Sequence, residues 1–373
     1  MKLLAVETSC DETAAAVVEE TGNDERPWRA RSNIVASQTA IHREWGGVVP
    51  ELASRQHVRD ICGVLEAALA EAAVTIDDLD AVAVTQGPGL VGSLLVGVAF
   101  AKALAWSRGL PIIPVHHLAG HIESLTLAHG EMPLPAAVLV VSGGHTSLYL
   151  VRERGRYQVI GRTRDDAAGE AYDKVAKLLG LDYPGGPAID RAARTGNDRA
   201  YEFPITRLTH ADRNAPSSIG AGVLPPDIAR RIDFSFSGLK TAVLRLVRER
   251  TGAEHGGKAG AAGQAGAALP QQDIADICAS FQRAVVSALL DRTFEAARWL
   301  DAQSVGIAGG VSANTRLRSD AEARGVRFSL PVFVPPIALS TDNAAMIGAA
   351  ALRRYRTSGP GGWDFNAEAA LKM

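Results

Sequence analysis

Apolar residues in this chain come in short unbroken runs joined by small polar turns, and the runs recur in matched order. LLAVETSCDETAAAVVEE near the start and VLVVSGGHTSLYLVRE from Val138 each predict strand, tight turn, strand. Later in each half a strand-like run ends in glycines and opens into a helical stretch, AVAVTQGPGLVGSLLVGVAFAKALA first and VGIAGGVSANTRLRSDAEA second. The repeat predicts an α/β protein built from a duplicated lobe. PLPAAV at 133–138, with two prolines, marks the boundary. The first lobe is therefore expected over 1–133 and the second over 134–373, with the helical pattern from Asn343 to Arg354 able to cross back to the first. Residues 251–269 are almost entirely Gly, Ala, Gln and charge and predict a disordered surface loop. The stretch 205–231 lacks periodicity as well.

Composition narrows the class. The length of 373 residues suits two or three domains, and 47% hydrophobic with 21% charged residues is the balance of a soluble globular protein. A net charge of −2 gives no chain-wide field for nucleic acid, so such a partner needs a local patch or a helper protein. RLVRER at 245–250 and LRRYR at 352–356 are the basic clusters available, each with solvated helix face as its ordinary role. Cys10, Cys62 and Cys278 are odd in number and far apart, which fits a reducing compartment and points to the cytoplasm. Met1 leads straight into a strand-like run, and no apolar run of membrane-spanning length is expected.

Glycine-rich turns after strands offer backbone N–H groups to an anion, and SGG at 142–144, PGG at 184–186 and GG at 309–310 are three of them. Taken singly each is an ordinary turn. Neither GxGxxG after the first strand nor GxxxxGK[ST] occurs, which disfavours a Rossmann site and a Walker loop. A two-lobed, actin-like cleft remains, its phosphates meeting ETSCDET and VSGGHTS and its adenosine resting on GGVSAN. There Asn314 presents an amide near a ribose or base, or else caps the helix that follows.

Three of the nine histidines fall within VHHLAGHI, residues 115–122. On a helix His117 and His121 share one face and can reach one ion, with a ligand-free surface pair as the alternative. HExxH is absent, because Leu118 follows His117 and no glutamate is placed to activate a bound water. Two imidazoles leave an ion open, so a remote carboxylate is needed. Asp342 heads an apolar helical stretch, where N-cap is its ordinary role.

Taken together, ETSCDET (7–13), GGVVPELASR (46–55), TQGPGLVGSLLVG (85–97), PVHHLAGH (114–121), LVVSGGHTSL (139–148), DDAAGEAYDKVAKLLGLDYPGG (165–186), DFSFSGLKT (233–241), AGGVSAN (308–314) and STDNAAMI (340–347) resemble the TsaD family. The resemblance implies an actin-like (ASKHA) fold of two duplicated lobes with a nucleotide and metal cleft. It implies transfer of a threonylcarbamoyl group from threonylcarbamoyl-adenylate to the exocyclic amine of the adenosine following the anticodon of tRNA. Carried over by position, His117, His121 and Asp342 are the ligands of one Fe2+ or Zn2+ per chain. Val140, Val141, Ser142, Gly143, Gly144, Asp173, Gly186, Asp190 and Asn314 bind an adenylate or ATP-type nucleotide. TsaB-like and TsaE-like proteins are the implied partners, with no membrane involved. The Gly/Ala-rich insertion at 251–269 and the tail GWDFNAEAALKM depart from the family pattern.

The chemistry suits these residues. A mixed anhydride is already activated, so a covalent nucleophile is unnecessary and positioning with electrostatic stabilisation carries the reaction. Asp11 and Glu12 in the first turn are the proton acceptors considered, while Cys10 reads as a small residue packed at a strand end. Two rivals share the fold: an ATP-dependent phosphotransferase, which gives the histidine pair no task, and a nucleotide-switched scaffold.

Overall fold

A computed structural model describes residues 1–205, 232–251 and 269–373. The disordered loop expected at 251–269 and the unpatterned stretch 205–231 lie almost wholly outside the described residues. The chain divides into two compact units, one of Met1–Leu134, Val151–Tyr157 and Phe333–Met373, the other of Pro135–Leu150 and Gln158–Val332. The whole segment from Phe333 onward therefore belongs with the N-terminal unit, whereas the residue pattern predicts a return only for the helix from Asn343 to Arg354.

In the first unit the strands are β1 (Lys2–Glu7), β2 (Glu12–Glu20), β3 (Trp28–Ala30), β4 (Ile34–Ser37), β5 (Ala81–Gly87) and β6 (Ile112–His116). They order as β3-β2-β1-β5-β6, with β4 also on β2. β1 and β2 form the predicted antiparallel hairpin, and β5 runs parallel to β1 with Val6 opposite Val84. Its helices are α1 (Thr39–Arg43), α2 (Pro50–Ala72), α3 (Val91–Arg108) and α4 (His117–His129). In the second unit lie α5 (Ala168–Leu178), α6 (Gly185–Ala193), α7 (Ser237–Thr251), α8 (Gln271–Trp299) and α9 (Thr315–Phe328), and the first unit closes with α10 (Ile337–Ser340) and α11 (Ala344–Ser358).

Strand pleating divides the first core in two. Leu3, Ala5, Ala81 and Ala83 pack with α11, while Leu4 packs with α2, and Val6, Val82 and Val84 with α3. With both faces covered, the strands need apolar side chains on both, hence the unbroken runs in the sequence. Contrary to expectation, α3 is by length and composition apolar enough to cross a membrane. Here Leu94, Val98, Ala101 and Ala105 are buried in the unit, while Val91, Leu95 and Trp106 are exposed.

The second sheet comprises β7 (Ala136–Val141), β8 (Thr146–Glu153), β9 (Arg156–Arg162), β10 (Ser304–Ala308) and β11 (Val332–Phe333), in the order β11-β10-β7-β8-β9. Read from the other edge, this is the order of the first sheet: hairpin, then a parallel strand beside its first member. The duplication seen in the residue pattern is thus a duplication of topology.

Candidate functional site

The strand β6 ends in His116, and α4 begins at the next residue. His116 is the helix cap: its Nδ1 accepts the Leu118 N–H at 3.2 Å, and its Nε2 donates to the Leu371 carbonyl at 3.2 Å. Burial pushes its pKa down to about 4, so the ring is neutral, as an accepting nitrogen requires. With His116 spent on the cap, His117 and His121 stand one turn apart in α4, ring centroids 4.8 Å apart and edge to face.

Asp342 reaches them because α11 lies hard against α4. A Cβ on Gly120 would come within 2.8 Å of Ile347 Cδ1, so the missing side chain permits the approach. The cap of α11 falls to Asn343, whose side chain accepts the Met346 N–H at 3.0 Å. The N-cap role that the sequence allowed for Asp342 is therefore filled by its neighbour. Asp342 Oδ1 lies 3.2 Å from His121 Nε2 and 3.6 Å from His117 Nε2, and one donor atom from each of the three residues falls within 4.8 Å of the others.

These residues fit a divalent cation. Ligand bonds of about 2.1 Å in tetrahedral array place donors roughly 3.4 Å apart, a value that lies between the two separations to Asp342. His121 is fully buried, yet neither of its ring nitrogens makes a hydrogen bond of acceptable geometry. A buried imidazole with both nitrogens orphaned, Nε2 of them facing a carboxylate, is costly unless something else is bound there. Two imidazoles and a carboxylate are a donor set that Fe2+ or Zn2+ accepts, and three protein ligands leave coordination positions open.

Sequence reasoning missed Glu7 at the end of β1, 1% exposed beneath this group. Its Oε2 lies 3.1 Å from His117 Nδ1 and accepts the Thr85 hydroxyl at 2.7 Å, and its Oε1 accepts the Ser9 N–H. Burial alone would raise the Glu7 pKa, but the His117 ring, helped by Thr85, more than offsets this and holds it below the usual carboxylate range. For His117, burial opposes charge while Asp342 and Glu7 favour it, and the balance is upward. The only sequence signal was a carboxylate closing an apolar strand.

The first hairpin turn carries Asp11 and Glu12. Burial, then the charges of Asp11 and Asp342, raise the Glu12 pKa well above normal. The same causes raise the Cys10 thiol, which makes it a poor nucleophile. His57, also missed, fixes this turn from α2: its Nε2 donates to the Cys10 carbonyl at 2.9 Å, and its Nδ1 meets the Thr13 hydroxyl at 2.8 Å.

The second unit gathers the remaining predicted residues on a connected set of turns. Val140 and Val141 are fully buried at the end of β7, and Ser142 N–H closes the next turn onto the His145 carbonyl at 2.8 Å. Gly143 and Gly144 face open space where a Cβ would meet nothing. α5 starts so close to this turn that a Cβ on Gly169 would sit 2.6 Å from the Ser142 carbonyl. Gly309, at φ +91°, would likewise press on the Val141 carbonyl at 2.5 Å. From α5, Asp173 accepts the Gly185 N–H at 2.7 Å, fixing the start of α6 with Gly186 open beside it. Asp190 accepts the Thr315 hydroxyl at 2.8 Å. Asn314 caps α9 by accepting the Leu317 N–H at 2.9 Å, and its amide donates to Gln282 at 2.7 Å. Of the two roles open to Asn314, its side chain performs the capping one.

Residues 29–349 match the profile of the TsaD family, tRNA N6-adenosine threonylcarbamoyltransferase. A protein of that name from Anaeromyxobacter dehalogenans (strain 2CP-1 / ATCC BAA-258) is 50% identical over 100% of this chain and 99% of its own. The chain belongs to the TsaD family. A second such relative, from Moorella thermoacetica (strain ATCC 39073 / JCM 9320), is 49% identical over 95% of this chain and 92% of its own. Among solved structures, full-length HypF in its phosphate- and nucleotide-bound form aligns over 96% of this chain and 47% of HypF at a TM-score of 0.56. At 13% identity this likeness speaks to the fold, which is the actin-like one expected of a TsaD chain.

Proposed function

We propose that this chain transfers the threonylcarbamoyl group of threonylcarbamoyl-adenylate to the exocyclic amine of the adenosine following the anticodon in tRNAs that read A-starting codons. Membership of the TsaD family supports the reaction. Within this chain the observation that carries it is the convergence of His117, His121 and Asp342, with both nitrogens of the buried His121 ring lacking a hydrogen bond. Neither a phosphotransferase nor a nucleotide-switched scaffold gives that group a task.

The amine nitrogen bonds to the carbamoyl carbon, the bond from that carbon to the phosphate oxygen breaks, AMP leaves with the electron pair, and the amine yields a proton. His117, His121 and Asp342 would hold one Fe2+ or Zn2+ per chain, which when bound would supply Lewis acidity for the oxygen on which charge develops, or an anchor for the donor's oxygens. Glu12, held in the first hairpin turn with Asp11 beside it, takes the proton. In the second unit the Ser142–Gly144 turn and Gly186 offer backbone N–H groups to the adenylate phosphate, Val140 and Val141 set the turn's base, and Asn314 holds the opening of α9. Asp173 and Asp190 receive donor hydroxyls.

TsaB-like and TsaE-like proteins complete the system in the cytoplasm, away from any membrane. Within LRRYR, Arg353 is buried and paired with Glu123 and Glu131, while Arg354, which donates to the Pro114 carbonyl, and Arg356, which pairs with Glu20, remain exposed to a polyanion. The test is a reconstituted reaction with unmodified tRNA, threonine, bicarbonate, ATP and the partner proteins, read by nucleoside mass spectrometry. Wild type forms the modified adenosine, and His117→Ala and His121→Ala lose both product and bound metal. A wild type that forms no product, or metal-free variants at full rate, refutes the reading.

A further inference from the structure

We propose that Glu7 is a positioning residue for the cation site: its carboxylate keeps the ring proton of His117 on Nδ1 and so turns the Nε2 lone pair toward Asp342 and His121. The inference rests on the cation reading above and extends it to a residue outside the ligand set. A carboxylate 1% exposed persists only where its oxygens are satisfied. Two of its contacts are donors by their chemistry, the Thr85 hydroxyl and the Ser9 backbone N–H.

An ionised carboxylate can only accept, so the ring atom 3.1 Å from Oε2 must be the N–H of His117. Ser9 Oγ, 3.2 Å from the same nitrogen, lies on that side of the ring as well. The opposite nitrogen, Nε2, is then the one left to give a lone pair to a cation, and it is the atom facing Asp342 at 3.6 Å. His121 has no comparable support, since its Nδ1 is buried without a hydrogen-bond partner. Of the two imidazoles, His117 is the one oriented from behind. Such outer carboxylates fix the tautomer and raise the basicity of a ligating imidazole, and losing one weakens metal binding about 10- to 100-fold.

Glu7→Gln keeps the size of the side chain and removes its negative charge. Zinc binding to the full chain is measured by competition with a chromophoric chelator for wild type, Glu7→Gln and His117→Ala, alongside the melting temperature of each metal-free protein. Wild type binds zinc stoichiometrically, His117→Ala does not, and Glu7→Gln binds about 10- to 100-fold more weakly while still melting in one cooperative transition as a folded protein. Binding by Glu7→Gln within about twofold of wild type, with His117→Ala still deficient, overturns the role of Glu7 and leaves the cation reading intact. A wild type that takes up no zinc overturns both. Nitrogen-15 NMR of the histidines in zinc-loaded wild type needs no variant: the expected His117 signature is a protonated Nδ1 with Nε2 bound to metal, and a deprotonated, ligating Nδ1 refutes the proposal.

Discussion

Asp165 accepts four hydrogen bonds, from the hydroxyls of Ser235 and Ser237 and from the backbone N–H groups of Phe236 and Ser237. It thereby ties DFSFSGLKT to the strand side of the second unit. Burial opposes ionisation there, but the Ser235 hydroxyl, the Phe236 amide and the Ser237 donors prevail and depress its pKa. A depressed carboxylate contributes stability that is present above its unfolded pKa of about 3.9 and lost as pH falls through the lower folded value. Asp165→Asn should cost about 1 kcal/mol near neutrality, kept small by solvent exposure of the side chain, and should flatten the loss of stability below about pH 4. Denaturant midpoints of both proteins across that range test this, and parallel acid profiles would count against it. His116 and His117 show why residue type alone is a poor guide to role. Adjacent in the chain and identical in chemistry, one caps a helix and the other faces a carboxylate on each side. Their ring orientations follow from neighbours that lie far off in sequence.

Two helices make the candidate cation site, and glycine decides how near they come. Along α11, a Cβ on Gly348 would lie 2.4 Å from Val18 Cγ2 and 2.8 Å from Val18 Cβ, so α11 sits directly on β2. Gly348→Ala must push the helix outward, since a branched side chain on a central strand cannot yield. Such overpacking costs about 1–3 kcal/mol. Because Asp342 precedes α11 by one capping residue, the same displacement should lower zinc affinity, while Gly63→Ala, at a helix position open to space, should do neither. Thermal melts and chelator competition on the two variants check this, and unchanged affinity in Gly348→Ala would separate α11 from the site. The helical pattern from Asn343 to Arg354 was legible in sequence, and α11 runs from Ala344 to Ser358. Which of Asp342 and Asn343 caps it was not, because both residue types cap well and only the geometry of the entering chain chooses.

At the scale of the molecule, the tail that departs from the family pattern is part of the first unit. Gly361 N–H bonds the Ile112 carbonyl at 3.0 Å, Glu368 N–H the Gln86 carbonyl at 2.9 Å, and Lys102 Nζ the Trp363 carbonyl at 2.8 Å. Leu371 receives the Nε2 proton of His116, so the tail reaches the start of α4. Removing residues 360–373 should therefore lower the melting temperature and, by loosening His116, weaken metal binding. A truncated chain that melts and binds zinc like the full one would show the contacts to be idle. Binding of tRNA should fall steeply with salt and strengthen when the partner proteins are added, since the chain carries a net charge of −2 and Arg353 of LRRYR is buried in ion pairs. Filter binding across a salt series measures both. The sequence by itself determined the elements and their repetition: apolar runs long enough for strands buried on two faces, turns of small residues, and an HxxxH spacing that any helix converts into one shared face. It also set aside metalloprotease and Walker chemistry by what the motifs lack. Only the tertiary structure decided that Asp342 faces the imidazoles, that Glu7 stands behind His117, that Asn314 is spent on capping and that the chain from Phe333 onward returns to the first unit. Periodicity is a local property, set by the few residues within one turn or pleat. Pairing between distant positions is set by how closely packed elements approach, and in this protein that distance depends on single missing side chains such as those of Gly120 and Gly348.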